Sequence, residues 1–398
     1  MLPRRRMLSA TDEFPMNPPL HALAADIVFD GARVHRGGTV VIGGAEIVAL
    51  LPPGELPAAM PVRRLPAGAW LAPGFIDAQV NGGGDVLFND APTPEAVLAI
   101  AAAHRRFGTT GLLPTLISDT PDRMRAAAAA VRAAMRQCPG VLGIHFEGPF
   151  LSPQRAGVHD RAMLRAPTDA DLAWLAAPRP GRTLVTLAPE CVPAGFVAAL
   201  TRAGITVALG HSMASYDETR AAMADGLTGF THLFNAMPPM MAREPGPIAA
   251  ALESPSACYG LIVDGVHVAP AMLRLALRGA GQAMLVTDAM PPVGGSRDEF
   301  MLGGRRVRMR GGRCTTDDGT LAGSALDMAS AVRHCVRLLG LELPAALSLA
   351  TAAPAAFLGL GHRLGHVAAG YRADLVALDP DDIRILATWL AGHPNEQG

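Results

Sequence analysis

Between residues 73 and 288, short apolar runs recur eight times, and most of them end on a polar residue able to do chemistry. The runs cover 73–80, 111–116, 143–150, 183–190, 205–212, 229–235, 260–267 and 283–288. Continuous apolar runs of this length are what parallel strands look like when both of their faces are covered. Segments with helical composition, rich in Ala and Arg, separate them at 94–107, 122–137, 193–203 and 215–225. The alternation predicts an α/β fold, a (β/α)8 barrel, which presents the C-terminal ends of all its strands at one mouth.

The flanks read differently. Residues 1–20 have the composition of a disordered extension. From about 24 to 72 the pattern is β-rich, with runs 26–29, 39–42 and 46–50 separated by Gly pairs. After Asp288 comes a Gly-rich, hairpin-like stretch at 303–318, then helical segments at about 325–339 and 343–357. From Gly365 the chain is β-like again, at 373–378 and 383–390. The simplest closure joins 21–72 and 363–398 into one small β-sandwich domain, with the barrel, 73–362, inserted between them.

Composition narrows the chemistry. All 34 basic residues among the 398 are Arg, and no Lys occurs. That excludes a Schiff-base lysine, a pyridoxal-phosphate enzyme, a Walker-type P-loop and a carboxylated lysine bridging two metals. With a net charge of -1 and no basic stripe, the chain offers nothing for nucleic acid. No run approaches the roughly 18 apolar residues of a membrane span. The basic start Met1–Arg6 is not followed by an apolar core, so it does not read as a signal peptide. Cys138, Cys191, Cys258, Cys314 and Cys335 are odd in number and widely spaced, as expected of reduced thiols in a cytoplasmic protein.

Glu147, His211 and His232 sit near the ends of the third, fifth and sixth runs, so the barrel register turns all three into one mouth. Two imidazoles and a carboxylate, with a coordination position left open, suit a catalytic Zn²⁺ or a similar divalent ion. Asp288 ends the eighth run. Beside a metal ion it could take a proton from water and return it to a leaving amine, or it could be an ordinary turn residue ahead of Ala289-Met290-Pro291-Pro292. His159 and His267 fit either a site or a surface role, and Arg243 reads from spacing as a solvated loop residue.

Several stretches carry a resemblance. They are Pro73-Gly74-Phe75-Ile76-Asp77, His145-Phe146-Glu147-Gly148-Pro149-Phe150, Gly210-His211-Ser212, Thr231-His232-Leu233-Phe234-Asn235-Ala236-Met237, Arg243-Glu244-Pro245-Gly246, Asp264-Gly265-Val266-His267 and Val286-Thr287-Asp288-Ala289. In this order the chain resembles the N-acetylglucosamine-6-phosphate deacetylases of the amidohydrolase superfamily, over about residues 24–396. The resemblance implies that Glu147, His211 and His232 bind the metal and that Asp288 is the acid/base. It also implies that His159 and His267 contact substrate, and that the Asn235 and Ala236 backbone with Arg243 faces the sugar phosphate. Many superfamily members carry His-x-His after the first strand and hold a second metal. Here Gln79-Val80-Asn81 stands there, which points to one ion per chain. The Asn81-Gly82-Gly83-Gly84 stretch that follows suits a loop letting backbone approach the substrate.

The expected activity is hydrolysis of the acetamide of N-acetylglucosamine 6-phosphate to glucosamine 6-phosphate and acetate, in amino-sugar catabolism or cell-wall recycling. By the same resemblance the protein is expected to be a homodimer. Two other readings stay open. One is a deacetylase for N-acetylgalactosamine 6-phosphate or another N-acyl compound, and the other is a non-catalytic protein that binds a sugar phosphate or a partner.

Overall fold

A computed structural model describes residues 20–396. Of the extension predicted over 1–20, residues 1–19 lie outside the described part, while Leu20 already opens the strand Leu20–Phe29.

Each of the eight apolar runs forms a strand. In order they are Phe75–Val80, Thr109–Ile117, Gly143–Glu147, Arg182–Leu187, Thr206–Leu209, Gly229–Phe230, Cys258–Leu261 and Gln282–Leu285. They pair in sequence order, every neighbour parallel. The ring closes through a bridge between Val80 and Ala289 and a hydrogen bond of 3.0 Å from Asp288 N–H to Gln79 O. The (β/α)8 barrel read from the run pattern is therefore the fold. Strand interiors are apolar on both faces: Phe75, Leu113, Phe146, Val185 and Val207 are all completely buried.

Local chemistry places the outer helices. Pro94–Arg105 starts behind Thr93, whose side chain accepts the Ala96 N–H, with Pro at the first turn where no donor is needed. Tyr216–Ala224 starts with a reciprocal capping box between Ser215 and Glu218. The helix expected over 343–357 is instead two, Leu343–Ala350 and Ala352–Phe357, broken at Thr351. Pro354 explains the break: its ring clashes with the carbonyl four residues back and it has no N–H to donate.

The stretch expected to be hairpin-like is larger, a four-stranded antiparallel sheet running Glu299–Leu302, Arg305–Arg310, Arg313–Thr316 and Leu321–Ser324. The alternating Arg and apolar residues of the second strand, with Gly pairs at both turns, read equally well as one hairpin or two. The described segments on either side of the barrel meet in one eight-stranded sheet, where Leu375–Leu378 pairs with Trp70–Pro73, itself parallel to Leu20–Phe29. The sheet has its own core, which includes Val28, Ile42, Ile47, Leu71, Leu375 and Trp389. The five cysteines are free thiols. Among the described residues, no helix is long and apolar enough to cross a membrane.

Candidate metal centre and active site

Glu147 is the last residue of the third barrel strand. His211, His232 and Asp288 lie two or three residues past the ends of the fifth, sixth and eighth, and all three adopt left-handed backbone, with φ of +49°, +30° and +52°. That region is unfavourable for a residue with a Cβ and persists where the surroundings over-determine it. Here it turns each side chain sharply inward over the barrel axis. Gly210 makes the turn before His211 possible: a Cβ there would lie 2.6 Å from the Thr186 methyl and 3.0 Å from Thr231 Cβ.

The three candidate ligand atoms converge. Glu147 Oε1 lies 3.2 Å from His211 Nε2 and 3.0 Å from His232 Nε2, and the two imidazole nitrogens are 3.1 Å apart. His211 Nδ1 donates to the Arg155 carbonyl at 2.7 Å, which leaves the Nε2 lone pair of the neutral ring facing its neighbours. Three electron-rich atoms in mutual contact, all buried, are stable only around a positive charge. Among the described residues this is the group of His, Cys, Asp and Glu side chains placed to hold a metal ion. Burial pushes the Glu147 carboxyl up, but without an ion the His211 and His232 imidazoles beside it outweigh burial and hold the group well below its usual range. Burial pulls the His232 imidazole down, and Glu147 more than restores it.

Asp288 stands beside this centre. Its Oδ1 accepts from Gln79 Nε2 at 3.1 Å and from Asn81 Nδ2 at 2.6 Å, and Gln79 Nε2 also donates to Glu147 Oε2 at 3.2 Å. Burial, and next the charge of Glu147, push its carboxyl up from 3.8 to about 6. A carboxyl in that range can accept and release a proton near neutral pH.

His159 packs edge-on against His211 with ring centroids 4.5 Å apart. Its Nδ1 accepts the Ser118 N–H at 3.3 Å, so Nε2 carries the hydrogen. Burial, and next the neighbouring His211, pull its pKa down to about 3, so the ring is a neutral donor. His267 is fixed by Asp264, whose carboxylate lies 2.6 Å from its Nδ1.

These groups line a cleft of about 500 Å³ bordered by Asn81, Glu147, His159, His211, His232, Asn235, Ala236, His267 and Asp288. Arg243 is not among its lining residues; it sits on an exposed loop. The roles of Gln79 and Asn81 as donors to the acidic pair were not legible in the sequence, where they read only as an absent His pair. Gln154, Arg155 and the far sheet's Gly319, Thr320, Leu321 and Gly323 also border the cleft without any sequence signal.

The sequence pattern of the Amidohydrolase family matches residues 70–396. A protein named N-acetylgalactosamine-6-phosphate deacetylase, from Shewanella sp. (strain ANA-3), is 45% identical over 344 residues, 85% of this chain and 86% of its own. The crystal structure of N-acetylglucosamine-6-phosphate deacetylase from Pasteurella multocida superimposes with a TM-score of 0.91 at 33% identity, over 95% of this chain and 100% of that one. A variant of the Mycobacterium smegmatis N-acetyl-D-glucosamine-6-phosphate deacetylase, solved with N-acetyl-D-glucosamine-6-phosphate, gives 0.86 at 35%, over 94% and 99%. With the family pattern matched over residues 70–396 on a barrel of this register, the protein belongs to the amidohydrolase family.

Proposed function

We propose that this protein is a metal-dependent deacetylase of N-acetylglucosamine 6-phosphate, releasing acetate and glucosamine 6-phosphate in amino-sugar metabolism. The observation that carries the reading is the convergence of Glu147 Oε1, His211 Nε2 and His232 Nε2 next to Asp288. Their mutual distances of 3.0–3.2 Å approach the ~3.3 Å edge of a tetrahedron with bonds of ~2.0–2.1 Å, which suits Zn²⁺. One ion per chain fits, because Gln79 and Asn81 spend their side-chain N–H groups on Asp288 and Glu147. When bound, the ion acts as a Lewis acid and eases ionisation of the attacking water. Asp288 takes the proton of that water and passes it to the departing amine nitrogen. The neutral His159 donates Nε2–H to the carbonyl oxygen as negative charge gathers there. His267, the Asn235 and Ala236 backbone and Arg243 hold the sugar phosphate. Because Arg243 lies away from the cleft within one chain, a homodimer in which the neighbouring copy supplies it completes the site. In this reading 73–362 form the barrel, 21–72 with 363–398 the second unit, and the free thiols fit a cytoplasmic setting.

The 45% identity to the Shewanella protein favours a second reading, N-acetylgalactosamine 6-phosphate as substrate. Acetate release from both sugar phosphates, with and without a chelator, separates the readings. Faster turnover of the galacto epimer selects the second, and chelator-insensitive release rejects the metal-dependent chemistry.

A further inference from the structure

The Asp77 carboxyl is completely buried, yet the chemistry above makes no use of it. Its Oδ2 accepts the Thr287 hydroxyl at 2.5 Å, and its Oδ1 accepts the backbone N–H groups of Thr287 at 3.3 Å and Gln79 at 3.1 Å. It thereby grips both sides of the barrel seam, joining segments 210 positions apart in the chain. Both gripped residues bear on Asp288. Thr287 precedes it, while Gln79 donates to its carboxylate through Nε2 and accepts its backbone N–H on the carbonyl.

A second grip comes from the opposite side. Ser324, the buried last residue of the four-stranded sheet, donates Oγ–H to the Thr287 carbonyl at 2.6 Å and its backbone N–H to the Asp288 carbonyl at 2.9 Å. Gly323 passes so close that a Cβ would lie 2.7 Å from that same carbonyl oxygen. The peptide units on both sides of Asp288 are thus fixed from two directions, and Asp288 holds a left-handed φ of +52°. A residue with a Cβ stays in that region only when its neighbours hold it there.

We infer that Asp77, through the Thr287 hydroxyl, and Ser324 are positioning residues for proton transfer, together clamping Asp288 with its carboxylate aimed into the cleft. This rests on the reading of Asp288 as the base. The four-stranded sheet is then more than a wall of the cleft, because its last residue sets the aim of the proton acceptor.

The test uses the metal-loaded full chain and reads kcat, KM, metal per chain and melting temperature. The variants are Thr287→Val, Thr287→Ser, Asp77→Asn and, as reference, Asp288→Asn. Thr287→Val removes the hydroxyl link to Asp77, together with the acceptor of the Ala289 N–H, and is expected to lower kcat about a hundredfold, the scale of a misplacement of ~1 Å, with KM and metal content nearly unchanged. Thr287→Ser, which restores the donor, should recover kcat to within roughly threefold of the native chain. Asp77→Asn, whose amide oxygen can keep the two backbone N–H groups while its NH2 replaces the acceptor of the Thr287 hydroxyl, should lower kcat in the same direction as Thr287→Val, and the pair combined should lose less than the sum of the two. A Thr287→Val kcat within roughly threefold of native overturns the inference, as does failure of Thr287→Ser to recover it. So does a loss of rate that tracks lost metal or lost folded protein. Should Thr287→Val not fold, Ser324→Ala tests the clamp from its other side: lower kcat at constant KM supports it and unchanged kcat overturns it. Normal turnover by Asp288→Asn would refute the base assignment itself, whereas an inactive Asp288→Asn beside a normal Thr287→Val would refute the clamp alone.

Discussion

Replacing Asp288 by Asn should make the protein slower and, without metal, more stable. The Asn side chain keeps an oxygen to accept from Gln79 and Asn81, at 3.1 and 2.6 Å in the native site, so the local shape survives. What disappears is a buried negative charge next to Glu147. The native carboxyl is raised from 3.8 to about 6, first by burial and then by Glu147. Two pKa units correspond to ~3 kcal/mol of disfavoured ionisation. In sign, a raised carboxyl pKa costs the folded state nothing below about pH 4, where both states are protonated. The cost grows between about 4 and 6 and is complete above 6, where both are ionised. The metal-free Asn variant should therefore unfold later than the metal-free native protein at pH 8, by up to ~3 kcal/mol, with the gap closing as pH falls through 6 toward 4. Turnover of the metal-loaded variant should fall at least about a hundredfold, the lower range for losing a general base. Melting curves across pH, paired with acetate release, check both arms. A variant that melts earlier than native at every pH would show that the charge is not what this site pays for, and retained turnover would show that another group moves the proton.

Metal analysis after extensive dialysis should find one divalent ion per chain, with activity abolished by chelation and restored by Zn²⁺; two equivalents would reject the single-ion site. Arg243→Ala should lose about 10- to 150-fold in kcat/KM with N-acetylglucosamine 6-phosphate, the equivalent of one charge-assisted hydrogen bond of ~1.5–3 kcal/mol. It should leave unphosphorylated N-acetylglucosamine nearly unaffected, and equal losses on both substrates would make Arg243 structural. Light scattering coupled to size exclusion should report a dimer, and a fully active monomer would rule out a phosphate site completed by a second copy.

The barrel was legible because its strands are apolar on both faces, a pattern that survives without any knowledge of partners. Glu147, His211, His232 and Asp288 were placed by the register of those runs. Less visible were features set by contacts between distant segments. The left-handed backbone at His211, His232 and Asp288 leaves only a faint mark on residue type, because His and Asp, although enriched there, occur far more often in other conformations. Gln79 and Asn81 donate to acids 68 and 207 positions away, a relation that no local spacing carries. The second sheet, 299–324, was underestimated because alternating Arg and apolar residues between Gly pairs leave the number of strands undetermined. The apolar run over 343–357 hides the break at Thr351, which Pro354 imposes three residues on.

The closure of the barrel at Asp77 and Thr287 also gives the protein a history. The farthest pair of proposed metal ligands, Glu147 and His232, is separated by 85 positions, and the third, His211, lies between them. The contact proposed to hold Asp288, from Thr287 to Asp77, spans 210. Loop closure of that length is slow compared with pairing of neighbouring strands. A nascent chain that has laid down its sixth strand already has all its ligands, whereas competence for turnover waits for the eighth strand to return to the first. On the proposed assignments, the ligand set is present in the chain before the segment that anchors the base, so ion binding and turnover make different demands on how much of the barrel has closed.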